Sequence, residues 1–376
     1  MANKFEIIGK LNLAKDNDKR KCFEELRFKK GEKNKQGFTR KDDFVMRNLR
    51  LTIKSNEDFF NVDIKGSLFG NENTAKIKSM IKVGDNNYEE IEFKYKDREK
   101  YVHDLAEFKK CVFVEGDERE EFIDRFDFSL FVHEYLSREE NSDKLVKIVG
   151  DIEYSEYTKP GTDDAKVYTN YNINRIYVVK DGTEQSATGT IEMFINENAI
   201  DDSLLEDEGV FKISGYASQY VNKNQPNRGF FQVLDYPLDK DDEKFKVRCD
   251  VINKLFTVED CELAKIGVKV KLINRVEEVD FDESMLDDED RLLLECGIIT
   301  ISDLQKQYGR GKGGYINKTE ITNINATYRK GCVPTELTLQ QILDDGMEKK
   351  PETTGKDIEL DLENGLSDED LDDLFA

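Results

Sequence analysis

Aromatic and basic side chains alternate with small polar ones along residues 210–221, VFKISGYASQYV. Successive side chains of a strand point to opposite faces, so Phe211, Ile213 and Ala217 would form an apolar inner face. The outer face would then carry Lys212, Ser214, Tyr216, Ser218 and Tyr220. Tyrosine rings can stack on unpaired bases while a cation binds the phosphates between them. The pattern predicts a surface that binds single-stranded nucleic acid, with Lys212, Tyr216 and Tyr220 as its residues.

Two nearby segments combine the same residue types. Residues 167–179, VYTNYNINRIYVV, place Arg175 between Tyr171 and Tyr177. The loop NKNQPN and the residues after it supply Lys223, Arg228 and Phe230. These residues extend the predicted binding surface, and the open alternative is that the tyrosines close the ends of a barrel or contact another domain.

A basic stretch near the beginning of the chain predicts a second part of that surface. Residues 19–54 contain thirteen Lys or Arg and five Asp or Glu, a local charge of +8 in a chain whose net charge is −23. A polyanion responds to the local patch within a Debye length, about 8–10 Å, more than to the total charge. The predicted contacts are Lys29, Lys30, Lys33, Lys35, Phe38 and Arg40 in a loop, and Arg50 and Lys54 on one face of a strand. A solvated hairpin is the alternative.

The residue types that catalysis or metal binding would need are scarce. The chain has two histidines, His103 and His133, and its six cysteines contain no C-x-x-C pair. No phosphate-binding loop, nucleophile elbow or H-E-x-x-H motif is present. We therefore expect a protein that is not an enzyme and needs no metal or cofactor. No apolar run reaches 18 residues and the first residues, MANKFEIIGK, do not resemble a signal peptide, so we expect a cytoplasmic protein.

The elements that must position these residues are mainly strands. Residues 145–240 predict three strands, a short helix and two more strands, the order of an OB-fold barrel, with Gly150 and Gly215 at its bends. The glycine in KFEIIGKLNLAK, Gly9, repeats the placement of Gly150 and predicts a diverged second barrel over 1–140. We expect a mainly β protein with some helix: an OB-like domain at 1–140, an OB-fold barrel with extra strands at 145–280, and a small helical region at 281–345. A linker and a disordered acidic tail would occupy 346–376.

The C-terminal tail is acidic and ends in apolar residues. From Asp357 onward there are nine Asp or Glu and no Lys or Arg, a density at which like charges repel and chain entropy prevents folding. Leu371, Leu374 and Phe375 lie at the tip and predict a peptide that binds a partner. The alternative is a tail that only improves solubility.

An OB-like core, basic and aromatic faces and the tail LSDEDLDDLFA together resemble bacteriophage single-stranded DNA-binding proteins. The resemblance implies a protein that coats single-stranded DNA without sequence specificity during replication or recombination. It also implies a tail that recruits replication proteins such as a polymerase, helicase or primase and competes with DNA for the binding groove. The chain departs from bacterial members, which end in Pro-Phe, and it has no tryptophan. The other function considered is a non-enzymatic interaction or assembly subunit, such as a phage structural or transcription accessory factor on a β-barrel scaffold.

Overall fold

The computed structural model describes residues 3–16, 20–33, 40, 42–70, 73–84, 87–141, 143–158, 165–221, 225–276, 288–300 and 315–343. In chain order its strands are β1 (Lys4–Leu13), β2 (Phe23–Phe28), β3 (Phe44–Ser55), β4 (Asp58–Phe69), β5 (Lys76–Gly84), β6 (Asn87–Lys94), β7 (Cys111–Glu115), β8 (Glu118–Phe122), β9 (Leu145–Thr158), β10 (Ala165–Val178), β11 (Ser186–Ile195), β12 (Ile200–Asp201), β13 (Val210–Gln219), β14 (Arg228–Pro237), β15 (Ala264–Val276), β16 (Tyr315–Ile324) and β17 (Val333–Pro334). The α-helices are α1 (Arg125–Leu136), α2 (Leu205–Glu208), α3 (Phe245–Phe256), α4 (Asp288–Glu295) and α5 (Leu339–Leu343). The expected mainly β fold with some helix is confirmed.

Five strands close a first ring. Strand β1 pairs with β3 and β9, β3 pairs with β4, and β9 pairs with β10, all antiparallel. A parallel bridge between β10 and β4 completes the ring. Helix α1 lies between the third and fourth ring strands in sequence and packs on β4 and β3. A ring order of one-two-three-five-four, with a parallel three–five pair and this helix, is the topology of an OB-fold barrel.

A second ring repeats this topology. Strand β11 pairs with β13 and β15, β13 pairs with β14, and β15 pairs with β16, all antiparallel, while β14 and β16 meet in parallel. Helix α3 again separates the third and fourth ring strands. The two barrels are joined edge to edge, because the first strand of one, β1, pairs with the first strand of the other, β11.

These pairings correct the expected domain boundaries. Strands β9 and β10 were assigned to a barrel at 145–280, but they are the fourth and fifth strands of the first barrel. The repeated glycine pattern marks two strands that pair with each other, Phe5 opposite Gly150, and not the first strands of two barrels. The expected helical region at 281–345 contains β16, the last strand of the second barrel. A sequence pattern identifies a strand but not its partner, which explains the error.

Gly150 marks one of the sharp bends that close the first barrel. A Cβ atom at this position would lie 2.0 Å from the carbonyl oxygen of Asn172 and 2.7 Å from the Phe5 ring. The register of β10 shifts immediately beyond this contact, between Ile173 and Arg175. Only glycine fits here, so the expected role of Gly150 in barrel closure is consistent with the geometry.

The first barrel carries an insertion between β4 and α1. It contains the β5–β6 hairpin, two short 3-10 helices and the β7–β8 hairpin, and a small separate core that includes Leu68, Phe93, Tyr95 and Leu105. The main core runs through both barrels. Within the described residues, no helix is both long and apolar enough to cross a membrane.

Candidate nucleic-acid interface

A large groove lies between the two barrels, with a volume of about 1110 Å³. The first barrel contributes side chains of β2, β3, β4 and β10, together with Lys15 and Arg20 from the segment that follows β1. The second barrel contributes side chains of β14, β15 and β16. The polar and aromatic residues that line the groove are Lys15, Arg20, Glu24, Asn48, Arg50, Asn61, Asp63, Lys65, Lys166, Tyr168, Thr169, Asn170, Tyr171, Gln232, Asn274, Tyr315, Asn317, Lys318 and Thr319.

The alternation of side chains along β3 and β4 determines which residues form the floor of the groove. Along β3 the inward residues Leu49, Leu51 and Ile53 are buried, as predicted, so Asn48 and Arg50 point outward. The pairing of β3 with β4 runs without a bulge from Phe44–Phe69 to Ser55–Asp58. The outward side chains of the two strands, including Asn61, Asp63 and Lys65 of β4, therefore form one continuous face.

The groove is positively charged although the chain is acidic. Six cations line it, namely Lys15, Arg20, Arg50, Lys65, Lys166 and Lys318, against two carboxylates, Glu24 and Asp63, so the lining carries +4. Arg50 lies 3.6 Å from Glu24, and Lys65 lies 2.7 Å from Asp63. In the part of the chain that the structure describes, Lys15 and Lys166 have no carboxylate within ion-pair distance. A cleft with walls of one charge raises the local concentration of a ligand of opposite charge.

Several polar atoms of the groove lack hydrogen-bond partners. The Oδ1 atoms of Asn48 and Asn274 and the Nε atom of Arg50 are buried and have no partner among the described residues. Arg50 does donate through a second nitrogen to the carbonyl oxygen of Lys21. A buried polar group without a partner costs about 1–3 kcal/mol, so the groove favours a ligand that supplies both donors and acceptors.

The tyrosines that line the groove differ in how far their rings are exposed. Tyr315 is 51% exposed on β16, and Tyr168 is half-buried on β10. The predicted stacking residue Tyr171 instead packs edge-on against the core rings of Phe5, at 5.2 Å, and Phe60, at 6.0 Å. Burial raises the pKa of the Tyr171 hydroxyl. The Tyr171 ring therefore packs against the core, and Tyr315 offers the exposed ring at this place.

The other predicted residues of β10 do not line the groove. Arg175 donates a hydrogen bond of 2.7 Å to the carbonyl oxygen of Glu107 in the insertion. The ammonium group of Lys147 lies 5.7 Å from the centre of the Tyr177 ring. The register shift between Ile173 and Arg175 separates these residues from the groove-facing part of the strand.

The predicted face of β13 is present, but its cation is already paired. Phe211, Ile213 and Ala217 are buried, as the alternation predicts. Lys212 donates a hydrogen bond of 2.7 Å to Asp235 on β14. Tyr220, in contrast, is 65% exposed immediately beyond the strand.

A smaller cavity of about 540 Å³ lies beside β14, next to the groove. Tyr216 lines it and meets the Phe231 ring edge-on at 5.6 Å. Arg228 also lines it, lying 2.9 Å from Glu156 and donating to the carbonyl oxygen of Leu343. Arg228 thus anchors the last described helix, α5, to the second barrel.

Phe230 is a core residue, which corrects its assignment to the binding surface. It is 7% exposed, stacks on Tyr154 with ring centres 6.0 Å apart, and lies directly opposite the buried Ala217. Residues directly opposite on paired strands share a face, so Phe230 points inward and Phe231 outward. Phe231 is 50% exposed and is the aromatic residue that this strand offers to solvent.

The basic loop and strand of the first barrel keep several cations at the surface. Lys29, Lys30 and Lys33 are exposed, and Lys54 lies 5.2 Å from the centre of the exposed Phe59 ring. Arg40 stacks on Phe28 at 3.8 Å. Other predicted contacts lie outside the described residues: Lys35, Phe38, Lys223 and the tail residues Leu371, Leu374 and Phe375.

Sequence reasoning missed most of the groove. Lys166, Tyr168, Asn274 and Tyr315 come from strands far apart in sequence, and only strand pairing brings them together. Asn170 in YTNYNIN and Asn317 in NKTEITNIN were the available signal, because both amides lie on strands and line the groove. Among the described residues, no cluster of three or more metal-ligating side chains occurs.

Comparisons with known proteins find similarity at the level of solved structures. No family model and no curated protein matches the chain. The wild-type single-stranded DNA binding protein from Thermus aquaticus is similar over 90% of this chain and 95% of its own, with 10% identity and a TM-score of 0.32. A deletion mutant of the same protein is similar over 75% of this chain and 97% of its own, with 11% identity and a TM-score of 0.27. Similarity this low says nothing about what the chain binds, which must be argued from the groove.

Proposed function

We propose that the chain binds single-stranded DNA without sequence specificity, in the groove between its two OB-fold barrels. The observation that carries this proposal is the lining of the groove: six cations against two carboxylates, with exposed tyrosine and amide side chains among them. Cations in a groove follow the phosphate backbone, while aromatic rings stack on bases of any sequence.

The position of the groove supports the same function. It lies on the outward face of β3 and β4, which are the second and third strands of the first barrel. That face is where OB-folds bind oligonucleotides and oligosaccharides. A neutral oligosaccharide gains little from a lining of +4, whereas the phosphates of a nucleic acid are attracted to it.

The proposal is tested by fluorescence anisotropy with labelled oligo(dT), a duplex of the same length and the matching RNA, each at two salt concentrations. We expect oligo(dT) to bind more tightly than duplex, whose base faces are hidden, and its affinity to fall steeply with salt. Weak or absent oligo(dT) binding at about 50 mM salt, where phosphate contacts are strong, would contradict the proposal. If the chain instead bound another protein tightly, with an affinity that does not depend on salt, that result would favour an interaction or assembly subunit.

The tail is proposed to act with this groove during DNA replication or recombination. Its nine acidic residues compete with phosphates for the basic lining, and the apolar residues Leu371, Leu374 and Phe375 bind a replication protein such as a polymerase, helicase or primase. Deleting 357–376 should raise DNA affinity most at low salt, where screening is weakest, and abolish that docking. Unchanged DNA affinity at low salt together with unchanged docking would reduce the segment to a solubilising tail.

A further inference from the structure

Three phenylalanines form a stacked column on the outside of the first barrel. Phe28, Phe44 and Phe69 are direct cross-strand neighbours on β2, β3 and β4. The ring centres of Phe28 and Phe44 are 4.8 Å apart with planes 10° from parallel, and those of Phe44 and Phe69 are 5.6 Å apart at 23°. Cross-strand ring pairs stabilise a sheet, but this role does not account for a ring that stays exposed at the end of the column.

The two ends of the column differ. The guanidinium carbon of Arg40 lies 3.8 Å from the centre of the Phe28 ring and 5.5 Å from that of the Phe44 ring, so a cation already accompanies this pair. At the other end, Phe69 is 70% exposed, more than any other large apolar side chain in the described residues. The column therefore has a cation beside two of its rings and an exposed ring, Phe69, at its other end.

The column lies on the same face as the groove. Phe44 is separated by even steps from Asn48 and Arg50 along β3, and Phe69 is separated by an even step from Lys65 along β4. The β3–β4 register contains no shift between these positions, so all five side chains point outward on one surface. The Phe44–Phe69 pair lies four residues beyond the Asn48–Lys65 pair, which corresponds to about 14 Å along the strands.

A second cation lies at the Phe69 end of the sheet. The backbone nitrogens of Lys30 and Gly70 donate to Asp43, at 2.8 Å through its carboxylate and 2.6 Å through its carbonyl. This shared partner brings Lys30, which is exposed, to the same end of the sheet as Gly70, the residue after Phe69. An exposed ring and an exposed lysine at the same end of a sheet supply a stacking face and a phosphate contact to one bound strand.

We propose that Phe69 is a stacking subsite for one nucleobase of a single strand that leaves the groove past Lys65. This inference rests on the proposed function and adds a contact outside the groove lining. The base extends the column at its Phe69 end and covers the exposed ring, and Lys30 contacts the adjacent phosphate. Stacking on a ring face is insensitive to base identity, so the subsite lengthens the bound strand without adding sequence preference.

The test measures fluorescence anisotropy with the full chain and two labelled oligonucleotides of about 16 nucleotides, within the site size of an OB-fold. One is oligo(dT), and the other is fully abasic, so it keeps the phosphates but has no bases. We expect Phe69→Ala to weaken oligo(dT) binding about 5- to 150-fold, which corresponds to the roughly 1–3 kcal/mol of one stacked base. Phe69→Leu, which keeps the apolar contact with Phe44, should weaken it similarly, and Phe69→Tyr should restore it. None of the three should alter binding of the abasic strand.

The matched control is Phe108→Ala in the insertion. Phe108 is 57% exposed, meets Tyr88 edge-on at 5.1 Å and has a lysine beside it, but it does not line the groove. We expect this variant to bind both strands like the unmodified chain. The subsite is wrong, while the proposed function stands, if the unmodified chain binds oligo(dT) and Phe69→Ala binds it equally well. The same conclusion holds if Phe69→Ala loses as much affinity for the abasic strand as for oligo(dT). If the unmodified chain does not bind oligo(dT), the proposed function itself fails.

Discussion

At the scale of single residues, strand alternation decides which aromatic rings are available to a ligand. Phe230 and Phe231 are adjacent in sequence, yet the first is 7% exposed and the second 50%. The inward ring packs on Tyr154, whereas the outward ring meets Tyr216 at the edge of the smaller cavity. A one-residue difference thus separates a core residue from a surface residue.

This difference predicts opposite effects of two neighbouring substitutions. Phe230→Ala should lower the free energy of unfolding by about 3–5 kcal/mol, because it removes a buried ring and leaves a cavity. Phe231→Ala should change it by no more than about 0.5 kcal/mol, since the ring is half-exposed. Urea unfolding followed by circular dichroism measures both. Equal destabilisation by the two substitutions would mean that the inward and outward faces of β14 are assigned wrongly.

The inner faces of the strands were predictable from sequence, but the groove was not. Alternation identified Leu49, Leu51 and Ile53 on β3 and Phe211 and Ile213 on β13 as core residues, because period-two patterns are local. The groove depends on pairs such as Asn172 with Asp63 and Asp235 with Glu320, which join residues about a hundred positions apart. No local pattern encodes such pairs, and strands β9 and β10 were therefore placed in the wrong barrel.

At the scale of elements, helix α1 begins at an aspartate cap, Asp124. Asp124 caps the helix by accepting hydrogen bonds from the backbone nitrogens of Phe126, at 2.9 Å, and Asp127, at 3.4 Å. Burial and the nearby carboxylate of Asp127 raise the pKa of Asp124 from 3.8 to about 6, although the two backbone bonds oppose the shift. The hydrogen bonds of the cap thus favour the ionised carboxylate of Asp124, whereas burial and the charge of Asp127 disfavour it.

The raised pKa predicts a pH-dependent effect of Asp124→Asn. A carboxyl group whose pKa is higher in the folded state stabilises the fold fully below its unfolded pKa, and this contribution is lost as pH rises through the folded pKa. Asparagine caps helices as well as aspartate and does not ionise. The variant should therefore gain about 1.4 kcal/mol of unfolding free energy relative to the unmodified chain between pH 5 and pH 8.

Urea unfolding at the two pH values measures this gain. Asp117→Asn in the exposed β7–β8 turn is the control for the loss of one carboxylate away from the helix cap. A constant difference for Asp124→Asn would show that the Asp124 carboxyl group titrates normally in the folded protein.

At the scale of the whole molecule, the basic groove contrasts with a chain that is acidic elsewhere. The net charge is −23, and residues 357–376 contribute −9 of it, yet the groove between the barrels carries +4. Two OB-fold barrels joined through β1 and β11 place their outward faces on either side of this groove. The arrangement concentrates positive charge where a strand would lie, while the acidic surface elsewhere repels it.

The most direct test of the central claim is the salt dependence of oligo(dT) affinity. Each phosphate contact on a single strand contributes about 0.7 to the slope of log affinity against log salt concentration. The double substitution Lys15→Gln and Lys166→Gln removes two groove cations that have no carboxylate partner in the described part of the chain. The control is Lys78→Gln with Lys82→Gln, two exposed lysines of β5 outside the groove. We predict that the groove variant lowers the magnitude of the slope by about 1.4 and that the control leaves it unchanged. An unchanged slope in the groove variant, or the same loss in both, would contradict the assignment of the groove as the DNA-binding site.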